Sequence, residues 1–274
     1  MSIKNVFLNL FRMSSFKRKK PEINNDVGNV ELEGDAVNSS KQLNSILVCN
    51  MDQRSPIAEQ YRNLRNQVLS ESKINNYKIL SITSSVRDEG KTTTCANLAI
   101  MLAAKPELNI LIIDGDMRMP SLHKLFGIQN DNGLSDLLQY KAEFESCVRN
   151  TFIDNLKMLP AGELPSSPSE LISSMKMREL LSYLKTRKDI DYVLIDTPPL
   201  IPTTDPRVLA VLVDASILVV KANKTFREAI SHSLSLFGGG KVLGVVLNNL
   251  SGLSSYYPYY YSYAYGYDDY EKGE

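Results

Sequence analysis

A buried strand that runs through a short turn into Gly-Lys-Thr and then into a helix admits few folds, and residues 79–104 carry that pattern. Ile79, Leu80, Ser81, Ile82 and Thr83 form the apolar run, and the pattern that follows predicts a helix over residues 92–104. Between them lies Ser84-Ser85-Val86-Arg87-Asp88-Glu89-Gly90-Lys91-Thr92. A loop of this kind turns its backbone amides, and the positive end of the following helix, toward an anion. Gly90 leaves room for close approach, Lys91 reaches the β- and γ-phosphates of a nucleotide, and the Thr92 hydroxyl binds Mg²⁺. Ser85, Asp88, Glu89 and Thr93 complete the loop contacts expected for ATP. Ser85 stands where the usual motif, G-x-x-x-x-G-K-[ST], has its first glycine.

Further apolar runs at residues 110–113, 192–195, 215–220 and 242–247 alternate with helical patterns. Strands apolar on both faces and separated by helices indicate an α/β fold, a mostly parallel sheet with helices on both faces. Two runs end in acids: Asp114 and Asp116 follow the first, and Asp196 follows the second. Carboxylates at the C-terminal ends of parallel strands project into the crevice where such sheets bind ligands. Beside a triphosphate they hold Mg²⁺ and its waters. A single strand-end Asp is as well explained as a helix cap; three around one phosphate loop are not.

The ends of the chain differ from this body. Nine of its 14 tyrosines fall in the last nineteen residues: Tyr256, Tyr257, Tyr259, Tyr260, Tyr261, Tyr263, Tyr265, Tyr267 and Tyr270. Their spacing fits neither a strand nor a helix, so residues 251–274 are expected to be a flexible tail presenting phenol hydroxyls. Residues 1–20 carry six bases and no acid, with Ile3, Phe7, Leu10 and Phe11 sharing one face if helical. An interfacial helix on anionic lipid and a disordered basic tail both fit that stretch. Residues 21–45 are polar and read as a linker, leaving residues 46–250 as the folded domain. The formal net charge is zero, so bulk charge gives no case for nucleic acid. Cys49, Cys95 and Cys147 have no metal-ligand spacing. No apolar run approaches the length needed to span a bilayer, and no secretory signal is expected.

Taken together the chain resembles the bacterial tyrosine kinases, the P-loop kinases of capsule and exopolysaccharide export. The resemblance runs over residues 45–274. It is carried by Glu89-Gly90-Lys91-Thr92-Thr93, by Ile113-Asp114-Gly115-Asp116-Met117-Arg118-Met119-Pro120 and by the strand ending at Asp196. Gly133-Leu134-Ser135-Asp136-Leu137-Leu138, Leu159-Pro160-Ala161-Gly162-Glu163-Leu164-Pro165, Ser169-Glu170-Leu171 and the tyrosine cluster complete it. The resemblance implies a P-loop NTPase fold and an ATP- and Mg²⁺-dependent protein-tyrosine kinase that phosphorylates its own C-terminal cluster between subunits. It implies that Lys91, Asp114, Asp116 and Asp196 are catalytic, with Asp114 the main carboxylate, and that Thr92 and the three aspartates hold metal. Asn248 then meets adenine, and Glu59, Arg62 and Arg65 match an E-x-x-R-x-x-R oligomerisation motif. The implied partners are a ring-like homo-oligomer, a transmembrane activator of the polysaccharide co-polymerase kind and a cognate tyrosine phosphatase. The implied place is the cytoplasm, at the inner face of the cell membrane. The alternative is a partition or septum-positioning ATPase, a nucleotide-dependent dimer switch. Those usually carry a lysine early in the P-loop, where this chain has Val86, and a membrane helix at the C-terminus, where it has tyrosines.

Overall fold

The computed structural model describes residues 55–250, together with residue 47 and the backbone of residues 7–11; the expectations for the tyrosine cluster and for residues 21–45 lie outside the described residues. In chain order the elements are β1 (Phe7–Phe11), α1 (Pro56–Asn75), β2 (Ile79–Ser84), α2 (Lys91–Ala103), β3 (Ile110–Asp114), α3 (Leu122–Phe126), α4 (Leu134–Leu138), α5 (Phe144–Cys147), β4 (Arg149–Asn150), β5 (Leu156–Leu159), α6 (Pro168–Ser173), α7 (Met175–Thr186), β6 (Tyr192–Asp196), α8 (Asp205–Leu212), β7 (Ala215–Lys221), α9 (Arg227–Leu236) and β8 (Val242–Leu250).

The strands form one sheet in the order β1-β8-β7-β2-β6-β3-β5-β4. Every pairing is parallel except β4 with β5. All five expected strands form. β2 and β3 are buried at every position, as runs apolar on both faces require. Leu80, Ile82 and Ile112 meet Leu64 and Val68 of α1 and Leu98 and Leu102 of α2 on one face. Ile79, Leu111, Ile113, Val193 and Ile195 meet Leu137 of α4 and Leu180, Leu181 and Leu184 of α7 on the other. Each such buried side chain contributes about 1.5–3 kcal/mol relative to leaving it in water. Helix α2 is buried at every residue from Thr94 to Ala103, so the element that carries Lys91 is held inside the protein rather than on its surface.

For residues 1–20 only the backbone of residues 7–11 is described, and there the structure has neither the helix nor the disordered tail expected: Phe7–Phe11 is an edge strand, with Phe7 opposite Val245 and Asn9 opposite Leu247 of β8. The outer side of β8 offers a row of backbone donors and acceptors, and pairing with it satisfies more groups than a short isolated helix does. Strand β8 also runs three residues beyond its expected end, which places Asn248 within it.

Two of the motifs form a single lock. Leu134 and Ser135 donate their N–H groups to the carbonyls of Pro160 and Ala161, each at 2.8 Å. Buried Asp136 accepts from Gly133 N–H at 2.9 Å and Glu163 N–H at 3.4 Å, and the Ser135 hydroxyl donates to the Glu163 carbonyl at 2.6 Å. Gly162 sits at φ +82°, and a Cβ there would lie 2.3 Å from Asp136 Oδ2, so only glycine closes this contact.

Candidate active site

Strand β2 lies between β7 and β6, where successive connections leave in opposite directions, and the loop after it faces the crevice this creates. Gly90 caps α2 at φ +90°. A Cβ on it would lie 2.0 Å from Asn248 Nδ2, so the glycine serves both the left-handed turn and the close approach of β8. In front of the loop opens a cleft of about 350 Å³, lined by Arg87, Lys91, Thr92, Asp116, Met119 and Pro199 among others.

Two of the strand-end aspartates, Asp116 and Asp196, reach the loop residues. The Lys91 ammonium donates to Asp116 Oδ2 at 2.9 Å, and Asp196 Oδ2 lies 3.6 Å from it. The Thr92 hydroxyl donates to Asp196 Oδ2 at 2.6 Å. Burial opposes the charge on Lys91, but Asp196, Asp116 and Asp114 outweigh it and hold its pKa above the ordinary value. Burial first, and then the charge of Asp196, pushes the Asp114 carboxyl up to about 7. Asp196 is also raised, chiefly by burial. The cluster therefore holds more negative charge than one lysine neutralises, and it favours an incoming cation.

Asp196 Oδ1 is buried with no hydrogen-bond partner. That free acceptor beside the Thr92 hydroxyl, in a donor set made only of oxygens, fits Mg²⁺. Among the described residues no three or more His, Cys, Asp or Glu side chains are grouped so that they could hold a metal ion, so the expected set of three aspartates is not assembled as one ligand group.

The remaining expected residues divide. Asp88 and Thr93 line the cleft with Gly90, Lys91 and Thr92. Asp114 is fully buried below it, accepting from the N–H groups of Ser121 at 3.1 Å and Leu122 at 3.0 Å at the start of α3. Asp116 is the aspartate of that strand end that borders the cleft. Ser85 is buried, and its hydroxyl has no hydrogen-bond partner. The Glu89 carboxylate is buried within the loop, and Asn248 donates to the Glu89 carbonyl at 2.9 Å. Glu59 and Arg62 pair with each other one turn apart on α1, and Arg65 donates to the Met101 carbonyl at 3.4 Å.

Arg118 has a structural role that the motif around it does not signal. Its guanidinium donates to Asp205 at 2.9 Å and to Ser169 Oγ at 2.7 Å, and Ser169 donates to Asp205 at 2.5 Å. Asp205 opens α8 and Ser169 lies in α6, so this knot ties the far rim of the cleft to two helices. No local pattern signals a contact that spans 87 residues.

A family model described as an AAA domain matches residues 77–232. The chain is 38% identical over 211 residues to the putative tyrosine-protein kinase CapB of Staphylococcus aureus, covering 76% of this chain and 91% of that protein. The chain is a member of the bacterial tyrosine kinase family. It is also 32% identical over 213 residues to the family member YwqD of Bacillus subtilis (strain 168), covering 77% of this chain and 89% of that protein. The crystal structure of the chimerical protein CapA2B2 superposes with a TM-score of 0.71 at 32% identity, over 76% of this chain and 91% of that one. The septum site-determining protein MinD of Pyrococcus horikoshii OT3, complexed with Mg-ADP, shares the P-loop fold of the kinase family at a TM-score of 0.52 and 27% identity, over 62% of this chain and 69% of that one. No helix among the described residues is long and apolar enough to cross a membrane.

Proposed function

We propose that this chain is an ATP-dependent protein-tyrosine kinase whose main substrate is the tyrosine cluster at residues 256–270 of a neighbouring copy. The observation that carries this reading is the clustering of Lys91, Thr92, Asp116 and Asp196 at the P-loop, in a chain whose family relatives are named tyrosine-protein kinases. Phosphoryl transfer needs positioning and charge neutralisation more than covalent participation by the protein. The loop amides and Lys91 bind the β- and γ-phosphates, which draws Lys91 away from Asp116. Bound Mg²⁺, held by Thr92 and Asp196, supplies further neutralisation of the phosphate charge. A phenol with a pKa near ~10 arrives protonated. Asp116, on the cleft wall, accepts its proton as the phenol oxygen bonds to the γ-phosphorus and the bond to ADP breaks. Buried Asp114 holds the start of α3 and adds negative charge beneath this centre. Asn248, beside Gly90, borders the adenine end.

A tethered tail reaches an effective concentration of roughly millimolar, so the recognition of each tyrosine can be weak. The ring is built on Glu59, Arg62 and Arg65. The partners are a transmembrane activator of the polysaccharide co-polymerase kind, which recruits the kinase from the cytoplasm to the inner face of the membrane, and a tyrosine phosphatase that resets it. The outcome is control of capsule or exopolysaccharide polymerisation and export. Incubating the purified chain with Mg-ATP tests the activity: phosphotyrosine is expected in the wild type and not in Lys91→Met. Slow ATP hydrolysis without phosphotyrosine supports the septum-positioning type of ATPase instead.

A further inference from the structure

We propose that Glu89 is a positioning residue that clamps the P-loop to the segment after β7 and so gives the loop its phosphate-binding shape before nucleotide arrives. The inference rests on the nucleotide site proposed above. A carboxylate is an unfavourable neighbour for a polyphosphate, because like charges repel. Glu89 is nevertheless only 2% exposed, and both of its oxygens are occupied inside the protein. One accepts the Val86 N–H at 2.9 Å, across the bend of the loop. The other accepts the Thr225 hydroxyl. Thr225 is held in turn, since its oxygen accepts the Lys221 N–H at 3.0 Å at the end of β7.

Two more ties join the same parts. The Lys221 ammonium donates to the Asp88 carbonyl at 3.2 Å, and Asn248 of β8 donates to the Glu89 carbonyl at 2.9 Å. The ends of β7 and β8 thus grip the loop at consecutive residues. The grip is needed because Asp88 lies at φ +62° and Gly90 at φ +90°. A non-glycine residue in the left-handed region persists only where its surroundings hold it. A loop released from its ties spends part of its time in shapes whose amides do not converge, and apparent phosphate affinity falls with the populated fraction. The pairing also links the phosphate loop to the β8 end that carries Asn248, so the phosphate and base ends of the site are positioned together.

The test uses the full chain with two probes, Mg-ADP and inorganic pyrophosphate, titrated calorimetrically, alongside unfolding midpoints without ligand. Glu89→Ala and Thr225→Val are each expected to weaken both probes about tenfold, and the double variant by clearly less than the product of the two, because both remove the same Glu89–Thr225 bond. Thr225→Ser keeps the hydroxyl that Glu89 accepts and is expected to restore affinity to within about twofold of the wild type. If Glu89→Ala does not fold, Thr225→Val carries the test alone, since it leaves the bond from Val86 in place. A lowered unfolding midpoint with unchanged affinity for both probes would make the contact merely structural and overturn the proposal, as would additive losses in the double variant. Absence of phosphotyrosine in a wild type that binds Mg-ADP bears on the kinase reading alone.

Discussion

Replacing Asp214 with alanine should loosen the strand that delivers the P-loop. Asp214 immediately precedes β7, and its Oδ2 accepts the N–H groups of Lys78 at 2.9 Å and Ile79 at 2.8 Å at the start of β2. Its Oδ1 accepts the Lys185 ammonium from α7 at 2.7 Å. The Asp214 side chain is 15% exposed and that of Lys185 44%. Burial opposes the charge of Asp214, but Lys185 and the two amides outweigh it, and its pKa lies below the ordinary value. An amide bond to a charged acceptor contributes about 1.5 kcal/mol. The exposed lysine pair adds about 0–1 kcal/mol. After the burial cost, Asp214→Ala is expected to lose about 2–3 kcal/mol at pH 7, read from urea unfolding. A lowered carboxylate pKa stabilises the fold above the unfolded value, near ~3.9, and that contribution disappears as pH falls through the folded value. The difference between wild type and variant should therefore shrink as pH falls below about 3.9 and through the folded value. A gap below about 0.5 kcal/mol at pH 7, or one constant across that pH range, refutes the reasoning.

Gly162→Ala should cost about 3 kcal/mol or more, because a Cβ meets Asp136 and the backbone at a positive φ, and the thermal midpoint reads it directly. Asp196→Asn should bring the Asp114 carboxyl down from about 7 toward the ordinary range, since Asp196 is the second cause of the rise after burial; a carboxyl NMR titration that leaves Asp114 in place counts against the cluster as described. Full phosphorylation of nine tail tyrosines adds roughly −14 to −18 charges. ATP treatment should therefore shift the assembly toward smaller species in sedimentation, and an unchanged distribution opposes charge repulsion as the release signal.

The parts of the fold that depend on local pattern were legible in the sequence. Short, mostly apolar runs announced β2 and β3, and Gly90-Lys91-Thr92 announced both the loop and α2 to within a residue. Asp114, Asp116 and Asp196 could be placed near the loop because parallel strands end on the same side. What stayed hidden depends on partners distant in the chain. Residues 7–11 became a strand because β8, more than 230 residues later, had a free edge. Arg118 found Asp205, Asp214 found Lys78 and Ile79, and Glu89 found Thr225, each across at least 87 residues. The direction of the Glu89 carboxylate, into the protein rather than toward the cleft, is set by Val86 and Thr225 and by nothing in the motif itself.

The claim that the tyrosine cluster is the substrate of a neighbouring copy is tested most directly by mixing two defective chains. Lys91→Met keeps the tail and loses the phosphate lysine; a chain cut after Ser255 keeps the P-loop and loses the tail. With Mg-ATP at high protein concentration, neither alone should gain phosphotyrosine, and the mixture should gain it within residues 256–270 of the Lys91→Met chain. A mixture that stays unlabelled while the wild type is labelled contradicts transfer between copies.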